Sequence, residues 1–135
     1  MEFIGQLVQV VVALSILNVW LLRVNRETNW RGGDARNMRE EFTVYGLPSW
    51  AMPTVGTMKV GCALSLLLGI VAPSFTAPAA LGLATLMLGA VVMHTKIKDP
   101  IVKSLPAFSL LLLCAFVMYA STSGIVTAEP VIGEE

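Results

Sequence analysis

Four long apolar stretches dominate the pattern of the chain: Phe3 to Leu22, Pro53 to Ala72, Ala77 to Thr95 and Ser104 to Ser121. Each is about the 17 to 25 residues that a helix needs to cross the hydrocarbon core of a bilayer. The third and fourth are almost free of charge, and the first has none after Glu2. The second carries Lys59, about 9 Å along the helix from its start at about 1.5 Å per residue, a depth from which a lysine can snorkel to the interface. The first stretch is too long for the apolar core of a secretory signal, and Glu2 stands where a signal would be basic, so helix 1 is expected to be retained.

Between the first two stretches lies a polar segment, 23–52, with a pattern of its own. Met38, Phe42 and Tyr45 recur at i, i+4 and i+7, which predicts an amphipathic helix from about Asp34 to Tyr45 lying in the membrane interface. Gly32 and Gly33 supply a turn before it, and Gly46 with Pro48 ends it. Trp30, Tyr45 and Trp50 suit the headgroup level, where a ring can be half wet. The predicted architecture is an all-α membrane protein of one domain, 1–135, a four-transmembrane-helix bundle with an interfacial helix between helices 1 and 2.

Composition agrees with a lipid-solvated chain. Hydrophobic residues are 56% and charged residues 13%, against about 45–50% and 25% in soluble domains. Nine Lys and Arg cancel nine Asp and Glu, which gives no argument for nucleic acid as a partner. Their placement says more than their sum. Arg23, Arg26, Arg31, Arg36 and Arg39 follow helix 1, and Lys96, Lys98 and Lys103 follow helix 3, while the other connections and both ends carry none. Short basic loops resist translocation, so loop 23–52 is expected in the cytoplasm and both termini on the other side, in a plasma or other energy-transducing membrane. The acidic tail, Glu129, Glu134 and Glu135, is compatible with that side. Cys62 and Cys114 sit alone in apolar runs without a CxxC or a neighbouring His, and are expected as unpaired, packed thiols.

Two constellations stand out. Thr57, Gly61, Ser65 and Gly69 recur every four residues in helix 2, and Gly82, Thr85 and Gly89 offer a smooth face on helix 3. Small side chains let helices approach closely where lipid removes the hydrophobic driving force, so helices 2 and 3 are expected as neighbours, with contact to a partner subunit the alternative use of the ridge. The second set is polar: Asn18, Lys59 and His94, with Glu40, Glu41 and Asp99 in the adjoining loops, can converge in one leaflet. An ionisable residue within a span points to a function or a partner. For Lys59 the choice is between snorkelling or an ion pair with Glu41 or Asp99, and ligand binding; for His94, between a helix-end hydrogen bond and a proton relay or ligand contact. Gln6 and Gln9 near the other surface suit cross-helix hydrogen bonds. A lone His makes no metal site, and no Ser has a readable His and carboxylate beside it.

Several short runs resemble the DoxX-like family of small four-helix membrane proteins: Asn18-Val-Trp-Leu-Leu-Arg23, Arg31-Gly-Gly-Asp, Glu40-Glu-Phe-Thr-Val-Tyr-Gly-Leu-Pro48, Gly56-Thr-Met-Lys59-Val-Gly61, and His94 followed by Lys98-Asp-Pro100 and Lys103-Ser-Leu-Pro106. The resemblance extends from Asn18 to Ser121. It implies a small membrane subunit, since the family's namesake is associated with quinone-linked sulfur oxidation. No haem-ligand pair or flavin fingerprint accompanies it here. The first reading is therefore a non-catalytic accessory or assembly subunit of a larger membrane complex, such as a respiratory or photosynthetic electron-transfer complex, with no cofactor of its own and with lipids and larger subunits as partners. A quinone- or lipid-binding redox subunit is the second reading, and a small transporter or channel the third.

Overall fold

The computed structural model of the protein describes residues 2–127; the acidic tail, Glu129, Glu134 and Glu135, lies outside them. α1 runs Glu2–Leu17 and continues as a π-helical turn, Asn18–Leu22. A short α2, Met38–Val44, precedes α3, Ala51–Leu68. A 3₁₀ turn at Pro73–Phe75 leads into α4, Thr76–Lys96, and α5 is Ile101–Thr127. Four helical segments are long and apolar enough to span a membrane: Phe3–Leu22, Ala51–Leu68, Pro73–Lys96 and Ile101–Thr122. The protein is an integral membrane protein of the all-α, four-helix kind.

Boundaries differ from the hydropathy reading where apolarity does not track the backbone. α3 stops at Leu68 and not Ala72, because residues 69–72 are apolar yet form a turn closed by Ala72 N–H to Leu68 O at 2.9 Å. α5 starts at Ile101, ahead of Ser104, since Pro100 suits a helix start and Lys103 falls in the first turn. α2 begins at Met38, not Asp34. Asn37 is its N-cap, accepting Glu40 N–H at 2.9 Å, and the Glu40 carboxylate reaches back to Arg36 N–H at 2.7 Å.

The spans close a ring in the order α1, α3, α4, α5, each antiparallel to its neighbours, with α4 and α5 sharing the longest contact. Val12, Ala63, Leu66, Leu83, Cys114 and Val117 fill the centre, while Leu14, Leu64, Leu88 and Leu112 are exposed on the outside, the surface a lipid solvent requires. Cys62 and Cys114 are free thiols.

The small-residue ridge is only partly internal. A Cβ on Gly82 would press on Cys62 Sγ, and one on Gly69 would meet Thr76 Oγ1 and Gln9 Nε2, whereas Gly61 and Gly89 have nothing within 4 Å. Thr57 and Thr85 are exposed and Ser65 half-buried. A spacing of four drifts ~40° around a helix at each step. Between Thr57 and Gly69 the ridge therefore turns from the exposed surface to the core, and an added Cβ at Gly61 or Gly89 would meet no neighbour.

At the α3–α4 corner the free carbonyls at the end of α3 find side chains. Gln9 Nε2 donates to Leu66 O at 2.6 Å and to Thr76 Oγ1 at 3.1 Å, and Thr76 Oγ1 donates to Gly69 O at 3.3 Å. Gln6 is exposed. The opposite corner is the basic end, where residues 23–50 fold across the bundle.

Candidate functional site

The site begins with how α4 ends. Asp99 N–H bonds His94 O at 3.0 Å and Lys98 N–H bonds Thr95 O at 3.1 Å, with Lys98 at φ 58°. This is the paired hydrogen-bond pattern of a Schellman terminus, with a lysine in the left-handed position that glycine usually fills. The reversal folds Asp99 back over the last turn, and its Oδ2 lies 2.7 Å from His94 Nδ1. A carboxylate facing Nδ1 assigns the hydrogen to that nitrogen.

The loop after α1 supplies the rest. The π turn, closed by Arg23 N–H to Asn18 O at 3.1 Å, directs Trp20 inward, where its ring covers Gly56 and meets Phe42 edge-on. Arg31 is 5% exposed. Its guanidinium donates to Arg23 O at 2.6 Å, to Arg26 O at 3.1 Å and to Glu41 Oε2 at 3.1 Å. The other oxygen of Glu41 accepts the Tyr45 hydroxyl at 2.5 Å, and that hydroxyl stands 3.3 Å from His94 Nε2. Gly32 lies so close to the Tyr45 ring that a Cβ there would stand 2.6 Å from it. Gly33, at φ +54°, is held on both sides: its N–H donates to Asp99 Oδ1 at 3.0 Å and its carbonyl accepts Lys103 Nζ at 2.6 Å. Lys96 Nζ donates to Tyr45 O at 3.0 Å.

Arg31, Glu41, Tyr45, His94 and Asp99 thus form one continuous buried polar chain. With Nδ1–H directed at Asp99, His94 Nε2 faces the Tyr45 oxygen, whose hydroxyl donates to Glu41. Burial first, and the neighbouring Glu41 second, push the Tyr45 phenol well above its ordinary value of 10.0. Tyr45 is 5% exposed, so its ring packs inside the protein and is not half wet; Trp30 and Trp50 are exposed, at 47% and 66%.

Beneath this chain a cavity of about 360 Å³ opens among the four spans, at the lower end of the range for small-molecule pockets. Lys59, Asn18, Glu41 and His94 line it, with apolar surface from α4 and α5 such as Met93 and Leu110. The structure therefore brings Asn18, Lys59, Glu41 and His94 to one space, while Asp99 joins through His94 and Glu40 stands apart, capping α2. Lys59 is half-buried, with its ammonium 5.4 Å from the centre of the Trp20 ring. Among the described residues no carboxylate lies within ion-pair distance of it. A cation–π contact is worth about 0.5–2 kcal/mol, against an effective cost of several kcal/mol for taking an ammonium out of water.

Sequence reasoning missed Arg31, Tyr45, Gly33 and Lys103 as members of this site. Arg31 reads as one loop arginine among five, and its partner ten residues on is set by irregular backbone that no periodicity marks. Among the described residues no group of three or more His, Cys, Asp or Glu is placed to hold a metal ion.

No curated protein and no solved structure matches the chain significantly. The profile of the DoxX-like family matches residues 7–117, a range that includes the second and third spans, most of the first and fourth, the polar chain and the cavity, and the chain belongs to that family.

Proposed function

We propose that the protein binds a small amphipathic molecule of the lipid or quinone class, with its polar head at Lys59 and His94 and its apolar part along α4 and α5. The observation that carries this reading is the cavity: one end is ionic, the rest is apolar, and Lys59 faces it with no counterion among the described residues. A rigid polar chain above the cavity fixes Glu41 and His94, so the head group would meet preorganised partners. Assembly with larger membrane subunits, including an electron-transfer complex, draws on exposed apolar helix surface alone, which lipid explains equally well.

The orientation belongs to the same proposal: the basic end faces the cytoplasm and both termini face away from it. Single cysteines in place of Asp34 and Ser74, which are exposed at opposite ends, should react with an impermeant thiol reagent from opposite sides of the membrane. For the ligand, protein purified in mild detergent should yield a stoichiometric amphiphile on solvent extraction and mass spectrometry. Ala90→Phe, which puts a ring into the cavity, should yield none while keeping the wild-type thermal transition. Equal recovery from both proteins would refute the cavity as the site.

A further inference from the structure

Most charged groups that line the cavity or adjoin it have partners in the protein. Arg31 is paired with Glu41 at 3.1 Å. Asp99 faces His94 at 2.7 Å and takes Gly33 N–H at 3.0 Å. Lys103 and Lys96 are satisfied by backbone carbonyls of Gly33 and Tyr45. Lys59 faces the cavity with the Trp20 π face beside it and, among the described residues, no carboxylate within ion-pair distance. Arg23 lines the same cavity, is exposed and has no ion pair among the described residues, so a second unpaired charge at its rim is also positive. The one carboxylate lining it, Glu41, already has both oxygens engaged, by Arg31 and Tyr45.

An ammonium in a low-dielectric space is stabilised most by an anion that brings its own charge and hydrogen-bond acceptors. A neutral carbonyl or hydroxyl head would leave the positive charge uncompensated. We propose that the cavity takes an anionic head, a carboxylate or a phosphate monoester on an apolar chain, with Lys59 as its counterion. This rests on the binding reading above and narrows it to one ligand charge. The apolar surface of α4 and α5 favours an attached chain over a free anion.

The test uses the full chain in nonionic detergent with Trp30→Phe and Trp50→Phe, so that the fluorescence is that of Trp20, which lines the cavity; this protein is the wild type of the comparison. Four probes are titrated: a long-chain carboxylate brominated along its chain, the matching alkyl phosphate, the matching alcohol, and inorganic phosphate as a competitor. Wild type should be quenched by the carboxylate or the phosphate ester at a concentration about 10- to 100-fold lower than by the alcohol, the worth of one charge-assisted contact. Lys59→Met should lose that preference and Lys59→Arg should keep it. The arginine variant and the wild-type comparison remain decisive if the methionine variant folds poorly. Displacement of the quencher by inorganic phosphate would also support an anion site while showing that a bare anion suffices. Equal quenching by alcohol and anions, or a preference that survives in Lys59→Met, overturns the anionic assignment and leaves amphiphile binding standing. Quenching by none of the amphiphiles overturns the binding reading itself.

Discussion

The two ends of the bundle treat buried polar groups in opposite ways. Where α3 turns into α4, Gln9 and Thr76 answer the carbonyls of Leu66 and Gly69 directly, and the helices are so close that Gly69 has no room for a methyl group. At the basic end the same four helices stand far enough apart to leave a cavity. There the polar groups are charged, come from loops as well as helices, and connect to each other in a chain. Neutral groups with short reach draw helices together. Ion pairs need hydrogen-bonding shells around them and so hold helices apart, which is how a small bundle can be both tightly closed and hollow.

The largest effect expected from this contrast is at Arg31. Arg31→Met leaves Glu41 as a buried charge without its cation, and should cost about 3–5 kcal/mol. Arg36→Met, at an exposed position of the same loop, should stay within about 0.5 kcal/mol. Equal thermal transitions for the two variants would erase the claim that a buried ion pair holds the basic end.

Tyr45→Phe removes a hydrogen bond to a carboxylate and should cost about 1.5–3 kcal/mol at neutral pH. Its pH dependence sharpens the test. The folded protein holds the phenol neutral above its ordinary value of 10.0, so this contribution is whole below about pH 10 and is lost as the pH rises above it. Stability of the wild type should therefore fall toward that of Tyr45→Phe only on the alkaline side, and parallel curves across that range would place the hydroxyl outside the buried chain.

Within one helix, the tight end can be compared with the lipid face. Gly69→Leu should cost about 1–3 kcal/mol by forcing Gln9 and Thr76 apart, while Gly61→Leu, with nothing within 4 Å, should change stability by less than about 0.5 kcal/mol. Melting curves for the pair measure how far the ridge turns out of the core. The smallest effect is a gain. Lys98→Gly relieves a left-handed lysine at φ 58° and should stabilise the α4 terminus by about 0.5–1 kcal/mol, unless the added backbone freedom frees Asp99 from His94, which would appear as a loss in the same measurement.

The spans were legible because hydropathy reports the solvent around a helix, and lipid leaves a signal twenty residues long. The ends of α3 and α5 were less so, since a turn written in apolar residues looks like more helix. Asn18, Lys59 and His94 stood out as polar groups at one depth in separate spans. Arg31 and Tyr45 did not, because a loop arginine has topology to explain it and a tyrosine near an interface has the headgroups. The ridge from Thr57 to Gly69 misled because a four-residue repeat does not keep to one face of a helix.

Gly33 is clamped by Asp99 and Lys103, residues 66 and 70 positions further along the chain. During synthesis the loop that carries Gly33 emerges long before the α4–α5 corner that grips it. The roof of the cavity can therefore close only after the last hairpin has entered the membrane. Until then Lys59 and Trp20 face an open cleft, and an insertion intermediate lacking α5 would expose them to any lipid or chaperone at hand. Clamping of the loop at Gly33 is therefore a late step of folding, which waits for the α4–α5 corner.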